Sequence, residues 1–306
     1  MQSRPARLWF MTALTPLGVA AACWGLATVM TKAVLSQIPP LTLLVAQLAV
    51  SLAFLWAIVL AQRARMPAGR SLLPLGLLGL LNPGLSYTLS LLGLRLTTAS
   101  MSTLLWAAEP IVILGLAWLI LRERLTPILL ALSALAVAGV WLVVGIAPGA
   151  AQDGSLVGNA LILGGVLCCA LYTVLTRRMV ATFEPLALVA LQETFALAWA
   201  LAIWPIELRS VGLPSLAAIP ASAWAWAALS GIVYYALAFW FFLTGLKAVP
   251  ASLAGLFINL TPIFGIGGAY IFLGERLVAW QWMGAILILI AVLGVLGWPQ
   301  RESVPA

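Results

Sequence analysis

The residues of this chain that could do chemistry sit at the depth where a polar group is most expensive. The run from Leu104 to Arg124, LLWAAEPIVILGLAWLILRER, is apolar except for Glu109 and Pro110 near its middle. A run of about 20 apolar residues can cross the hydrocarbon core of a bilayer. A carboxyl at its centre has to face protein or a water-filled cavity. A proline there leaves a backbone carbonyl unpaired and marks a point where the helix can bend. Glu109 has three chemical uses at that depth: an anion against a substrate ammonium, a carrier of the driving proton, or a neutral acid that braces a helix.

Other polar and aromatic groups fall at a similar depth. Asn82-Pro83-Gly84 is followed by Ser86, Tyr87 and Ser90, and Asn82, Ser86 and Ser90 share one helix face at i, i+4 and i+8. Tyr234 and Tyr235 lie at the matching depth of a later span, Asn259 precedes Thr261 and Pro262 by one turn, and Trp106 and Tyr172 are mid-span aromatics whose polar tips need partners. The candidate substrate contacts are therefore Asn82, Tyr87, Trp106, Glu109, Tyr172, Gln192, Tyr234 and Asn259, with Pro83, Pro110 and Pro262 as hinges. The alternative for each is a satisfied interhelical hydrogen bond. For the small residues Ser100, Thr103, Ala107 and Ser252, Gly255, Asn259 it is close helix packing. Glu193, beside Gln192, lies nearer a span end, and solvated placement is expected for it.

Composition limits the rest. Hydrophobic residues make up 64% of the chain and charged residues 8%, about a third of the charged share of a soluble domain. The net charge of +7 is spread over short loops, so it points to membrane topology rather than to a nucleic-acid partner. There is no histidine, and Cys23, Cys168 and Cys169 sit inside apolar spans without metal-ligand spacing. No phosphate-binding loop or nucleophile elbow occurs. No catalytic residue, metal or cofactor is expected, and the chain is not read as an enzyme.

Ten apolar segments can be marked, at 13–32, 41–61, 72–94, 99–121, 126–146, 157–177, 185–206, 224–246, 251–272 and 279–298. Residues 93–125 align without a gap on 245–277 at an offset of 152, and thirteen of the thirty-three positions are identical, including Pro110 with Pro262 and Glu123-Arg124 with Glu275-Arg276. A second match at an offset of 145 carries CWGLATVMTK at 23–32 onto CCALYTVLTR at 168–177, and Gln47 onto Gln192. The chain is thus expected to be an all-α integral membrane protein of ten transmembrane helices. The first five-helix repeat spans 1–147, a linker 148–156, and the second repeat 157–306. Residues 207–223 are expected as a longer loop with a short interfacial helix.

Eleven of the fifteen Lys and Arg residues fall on one side of this ten-span arrangement and four on the other. The richer side is cytoplasmic by the positive-inside rule, which puts both termini inside. Five spans per repeat then invert the second copy relative to the first, the plan of secondary transporters with a site near the midplane. Trp9, Trp204, Trp224, Trp226, Trp280, Trp282 and Trp298 lie near span ends and fit an interfacial belt. The start MQSRPARLWF shows no cleavable signal pattern, so the first span is expected to be retained.

Trp24-Gly25 followed by Lys32, the Pro110 helix ending in Arg122-Glu123-Arg124-Leu125, and its echo Pro262 ending in Gly274-Glu275-Arg276-Leu277 resemble the EamA family of the drug/metabolite transporter superfamily. Within it the chain is similar to the YddG-type exporters of aromatic amino acids. That resemblance implies ten helices around a central cavity, with Tyr87 and Trp106 as cavity aromatics. It departs at Gln47, where many members carry an arginine. The implied function is export of small amphipathic metabolites across the inner (plasma) membrane by alternating access, with aromatic and other neutral amino acids the leading class. Multidrug and nucleotide-sugar or nucleobase transport are the alternatives. The expected partners are a small-molecule substrate and the lipid bilayer, with the monomer favoured.

Overall fold

The computed structural model describes residues 4–35, 37–94, 96, 105–106, 108–144, 155–211, 216–272 and 279–297. The proposed linker at 148–154, the stripe positions Ser100, Thr103 and Ala107, and the second exit pair Glu275-Arg276 lie outside the described residues. Every regular element among the described residues is helical, as backbone in hydrocarbon requires, because only a helix or a closed barrel pairs its own N–H and C=O groups.

In chain order the elements are α1 (Arg4–Leu35), α2 (Pro40–Gln62), α3 (Leu72–Gly79), α4 (Ser86–Leu94), α5 (Glu109–Leu116), α6 (Pro127–Val144), α7 (Leu156–Val180), α8 (Pro185–Val211), α9 (Ala221–Gly231), α10 (Ala238–Ala248), α11 (Ala251–Ile258), α12 (Thr261–Phe272) and α13 (Ala279–Gly297). Six helical runs are long and apolar enough to cross a membrane: Leu14–Leu35, Pro40–Gln62, Gly69–Gly93, Leu156–Val180, Pro185–Ser210 and Ala221–Ala248. Shorter apolar helices cover Glu109–Leu121, Pro127–Leu142, Ala251–Gly265 and Trp282–Gly294. α8 continues to Val211, so the loop expected from Glu207 begins later. Glu207 is buried there and its carboxylate is bonded to α2, which holds the last turns of α8 in place.

The packing is the same when the two halves are exchanged. α1 packs on α10 and α12, and its counterpart α7 packs on α4 and α5. α2 packs on α9, and its counterpart α8 packs on α3, while α2 pairs with α8 and α6 pairs with α13 across the centre. The contacts between α2 and α8 fix their direction: Thr42 meets Trp204 and Glu207, Ser51 meets Glu193, and Trp56 meets Thr194. These equivalent helices therefore run antiparallel.

The helix breaks also repeat. A widened, π-like turn spans Leu80–Leu85 between α3 and α4, and another spans Ile232–Leu237 between α9 and α10. The 152-residue offset carries one onto the other. In the first turn Asn82 leaves helical geometry, with φ −151° and ψ 125°, at the expected hinge before Pro83. The second turn has no proline, so the widening does not require one. What the two share is the glycine before each. A Cβ on Gly79 would run into the backbone of Gln192, and one on Gly231 would approach the backbone of Gln47 to 2.6 Å. Each chain presses against the partner half at that glycine and widens immediately after it.

Pro110 and Pro262 are the second residues of α5 and α12. A proline near a helix start lacks only an N–H that would have no intrahelical partner. Both spans are thus interrupted where the sequence places its mid-membrane prolines.

Candidate functional site

α4, the Ile232–Leu237 turn, α10, α1 and α7 bring their rings together in one continuous cluster. Tyr87 lies at its centre. Its ring centroid is 5.6 Å from Tyr234, 5.5 Å from Tyr235 and 6.2 Å from Trp106. Its hydroxyl shares a hydrogen bond of 3.2 Å with the Tyr234 hydroxyl. From Tyr235 the cluster continues through a stacked pair with Phe239 at 6.4 Å to Tyr172 at 6.1 Å and Trp24 at 5.4 Å from that ring. Tyr87 and Phe239 occupy equivalent repeat positions, so Tyr235 is flanked by the same position of each half. Edge-on and tilted ring pairs of this kind each add about 0.5 to 1.5 kcal/mol beyond burial of their area. Tyr87, Trp106, Tyr234 and Trp24 remain half-buried, while Tyr235, Phe239 and Tyr172 are buried. The cluster thus joins partly accessible rings to fully buried ones.

Glu109 is buried at 6% exposure in the first turn of α5, with the Cys169 thiol of α7 close to its carboxyl. The place of Cys169 in an apolar span gives no sign of Glu109, and their proximity is a tertiary fact. Asn82 is buried with both polar atoms of its amide unpartnered among the described residues. Ser86 and Ser90, on the same predicted face, turn to packing: Ser86 donates to the Gly165 carbonyl at 2.9 Å, and Ser90 donates to the Ser86 carbonyl at 2.9 Å. Asn259 is also spent locally, its amide donating to the Leu256 carbonyl at 3.1 Å where α11 ends. Gly255 faces Ile113 of α5, as the packing reading of that stripe requires.

The two repeat-related glutamines differ in their partners. Gln47 donates to Thr31 at 3.0 Å and to Ser230 at 2.8 Å. Gln192 accepts from the Tyr172 hydroxyl at 2.8 Å, but its Nε2 has no partner among the described residues. Ser230 corresponds at the 152-residue offset to Leu78, which offers no acceptor, while Thr31 corresponds at the 145-residue offset to Thr176, whose hydroxyl also has no partner among the described residues. Glu193 corrects the solvated placement expected for it. It is 1% exposed, takes a 2.6 Å hydrogen bond from Ser51 and leaves Oε1 unpartnered among the described residues. That part of α8 lies against α2 and α3 and not at the surface, so nearness to a span end does not bring Glu193 to water.

The site residues thus fall into two groups. Tyr87, Trp106 and Tyr234 meet directly, and Tyr172 joins them through Phe239 and carries Gln192. Among the described residues, Glu109, Asn82 and Asn259 make no hydrogen bond to that cluster, though Glu109 lies near enough to Tyr234 to interact electrostatically. The widened turn at Ile232–Leu237 was missed for want of a proline, although the offset that aligns Leu80–Leu85 with it was already in the sequence.

A bundle of apolar helices in two related halves, with polar and aromatic groups at mid-depth, is a multi-pass membrane protein. The chain belongs to the EamA-like transporter family, whose model matches residues 13–145 and again 156–297. Among curated relatives it is 27% identical over 231 residues to the uncharacterized transporter YyaM of Bacillus subtilis (strain 168), covering 74% of this chain and 73% of that one. It is 26% identical over 179 residues to the uncharacterized transporter YetK of the same organism, 58% of this chain and 53% of YetK. A solved crystal structure superposes with a TM-score of 0.77 over 93% of this chain and 96% of that one at 18% identity, which establishes the shared fold. The family and the names of these relatives point to a transporter rather than an enzyme.

Proposed function

We propose that the chain exports small amphipathic metabolites, aromatic and other neutral amino acids foremost, by alternating access across the inner membrane. The observation that carries this reading is the aromatic cluster around the Tyr87–Tyr234 hydroxyl pair, built from both halves and half-open on Tyr87, Trp106 and Tyr234. Rings give a flat apolar surface for a substrate ring, and two hydroxyls give a polar edge for its carboxylate or ammonium. The buried Asn82 amide, in the Leu80–Leu85 turn that leads into α4, is a further unpartnered donor and acceptor.

The architecture proposed with it is ten transmembrane segments, with an inverted repeat at 1–147 and 157–306 around the linker 148–156, both termini cytoplasmic and the protein monomeric. The antiparallel pairing of equivalent helices α2 and α8 supports the inversion. Pro83, Pro110 and Pro262 are the proposed hinges. A second reading, export of cationic drugs, draws on Glu109 and Glu193, two buried carboxyls that an organic cation would seek.

The test is flux from liposomes holding purified protein, with labelled phenylalanine, tryptophan, leucine and a cationic dye. Flux of the aromatic amino acids that Tyr87→Ala and Trp106→Ala reduce, while both variants keep their folded yield, supports the reading. Flux of the dye alone favours the second reading, and flux of none of the four sinks both.

A further inference from the structure

Two carboxylates in this fold each clamp the first turn of a helix in the opposite half. Glu123 accepts hydrogen bonds from the Ala251 amide at 2.8 Å, the Ser252 amide at 3.1 Å and the Ser252 hydroxyl at 2.6 Å, at the start of α11. Glu207 accepts from the Leu41 amide at 3.0 Å, the Thr42 amide at 2.8 Å and the Thr42 hydroxyl at 2.9 Å, at the start of α2. Each satisfies N–H groups that a helix start leaves open, and each sits at the positive end of the helix dipole.

The bonds are alike, and their mechanical settings are not. Glu207 is 3% exposed and ties α2 to α8, which are also joined further along by Ser51 with Glu193 and by Trp56 with Thr194. Losing one clamp there leaves the pair together. Glu123 is half-buried and ties the end of the Pro110 segment to the start of the helix that breaks before Pro262. Along that seam Gly255 of α11 packs closely on the Ile113 side chain, and among the described residues no second side-chain hydrogen bond joins α5 and α11.

Glu123 is also fixed from behind. The chain reverses at Arg122 with φ 56°, the Glu123 amide donates back to the Ala117 carbonyl at 3.2 Å, and the Arg178 guanidinium of α7 holds the Ile120 carbonyl. One jaw of this clamp is therefore rigid, and the other is the first turn of α11. Water reaches a half-buried carboxylate, so its bonds can exchange with solvent without stranding a charge in the interior.

We propose that Glu123 is the latch on one face of the transporter: its bonds to Ala251 and Ser252 hold that face closed, and their release opens it, whereas Glu207 is a permanent tie. This rests on the transporter reading above. The repeated Glu-Arg span ending, met in the sequence only as a family signature, thereby acquires a mechanical role at Glu123.

The experiment measures distance, so it does not depend on knowing the substrate. Nitroxide labels are placed at Arg122→Cys and Lys247→Cys in full-length protein in lipid nanodiscs, with Cys23 and Cys168 replaced by alanine and the buried Cys169 kept. Their separation is read by double electron–electron resonance. Glu123→Ala should raise the ratio of long to short distances by about tenfold, the loss expected for charge-assisted bonds. Ser252→Ala should raise it less, and Glu207→Gln should leave it unchanged. An unaltered distribution in Glu123→Ala overturns the latch, and so does equal widening in Glu207→Gln, which would mean general loosening. If Glu123→Ala does not fold, Ser252→Ala decides by the same criterion. Distances that respond as expected in a protein that moves no substrate tested would fault the transporter reading and leave the latch standing.

Discussion

Glu207, near the end of α8, holds Thr42 at the start of α2 by two bonds to one oxygen, 2.8 Å from the amide and 2.9 Å from the hydroxyl. Trp204 adds its indole N–H to the same hydroxyl at 2.9 Å. The group is buried, so removing the carboxylate strands donors that water reaches poorly. Glu207→Ala should therefore lower stability by about 2 to 3 kcal/mol, and Glu207→Gln by less. Thermal unfolding in detergent checks this, and equal midpoints for wild type and Glu207→Ala would contradict it.

The glycines before the two widened turns make a matched pair of predictions. Gly79→Ala and Gly231→Ala each push a methyl into the backbone of the opposite half, at Gln192 and Gln47. Backbone cannot rotate out of the way, so each should destabilise by about 1 to 3 kcal/mol or more. Gly18→Ala meets nothing within 4 Å and serves as the clash-free control, in which stability should hold or rise. The same unfolding assay ranks the three.

Removal of the Tyr87 and Tyr234 hydroxyls should produce like effects, because each is the other's partner at 3.2 Å. Tyr87→Phe and Tyr234→Phe should raise KM for an aromatic amino acid to a similar degree, and the double variant should cost little more than either single one. Tyr87→Ala removes ring contacts as well and should cost up to about tenfold in KM. Additive effects of the two phenylalanine substitutions would place the hydroxyls on separate parts of the substrate.

Ser230→Ala removes one of the two acceptors that Gln47 uses, leaving Thr31. Stability should fall by about 1 kcal/mol. Gln192, whose Nε2 lacks such a partner, should tolerate Gln192→Leu better than Gln47 tolerates Gln47→Leu. Unfolding midpoints in the reverse order would show that the two glutamines are not distinguished by these bonds.

For topology, single cysteines at Gln37 and Arg70, both exposed, should react with an impermeant thiol reagent from opposite sides of the membrane once Cys23 and Cys168 are replaced. Arg70 should react from the cytoplasmic side, since it belongs to the arginine-rich set. Reaction of both from one side would rule out the proposed path of the chain.

Much of this fold is legible in the amino-acid sequence. Apolar runs of membrane-crossing length imply helices because hydrocarbon offers backbone groups no other partner, and the 152-residue echo of Pro110 in Pro262 located both interrupted spans. The pairing of Tyr87 with Tyr234 and of Tyr172 with Gln192 was not written in any local pattern. Neither was the burial of Glu193, the thiol of Cys169 at Glu109, or the division of labour between Glu123 and Glu207. Each of these depends on contact between different helices, most of them far apart in the chain. A helix's own periodicity states which residues share a face and is silent on which neighbour that face meets. That choice is made by small features of contact, such as Gly79 and Gly231 lying against the backbone of the opposite half, and these exist only once the two halves have packed.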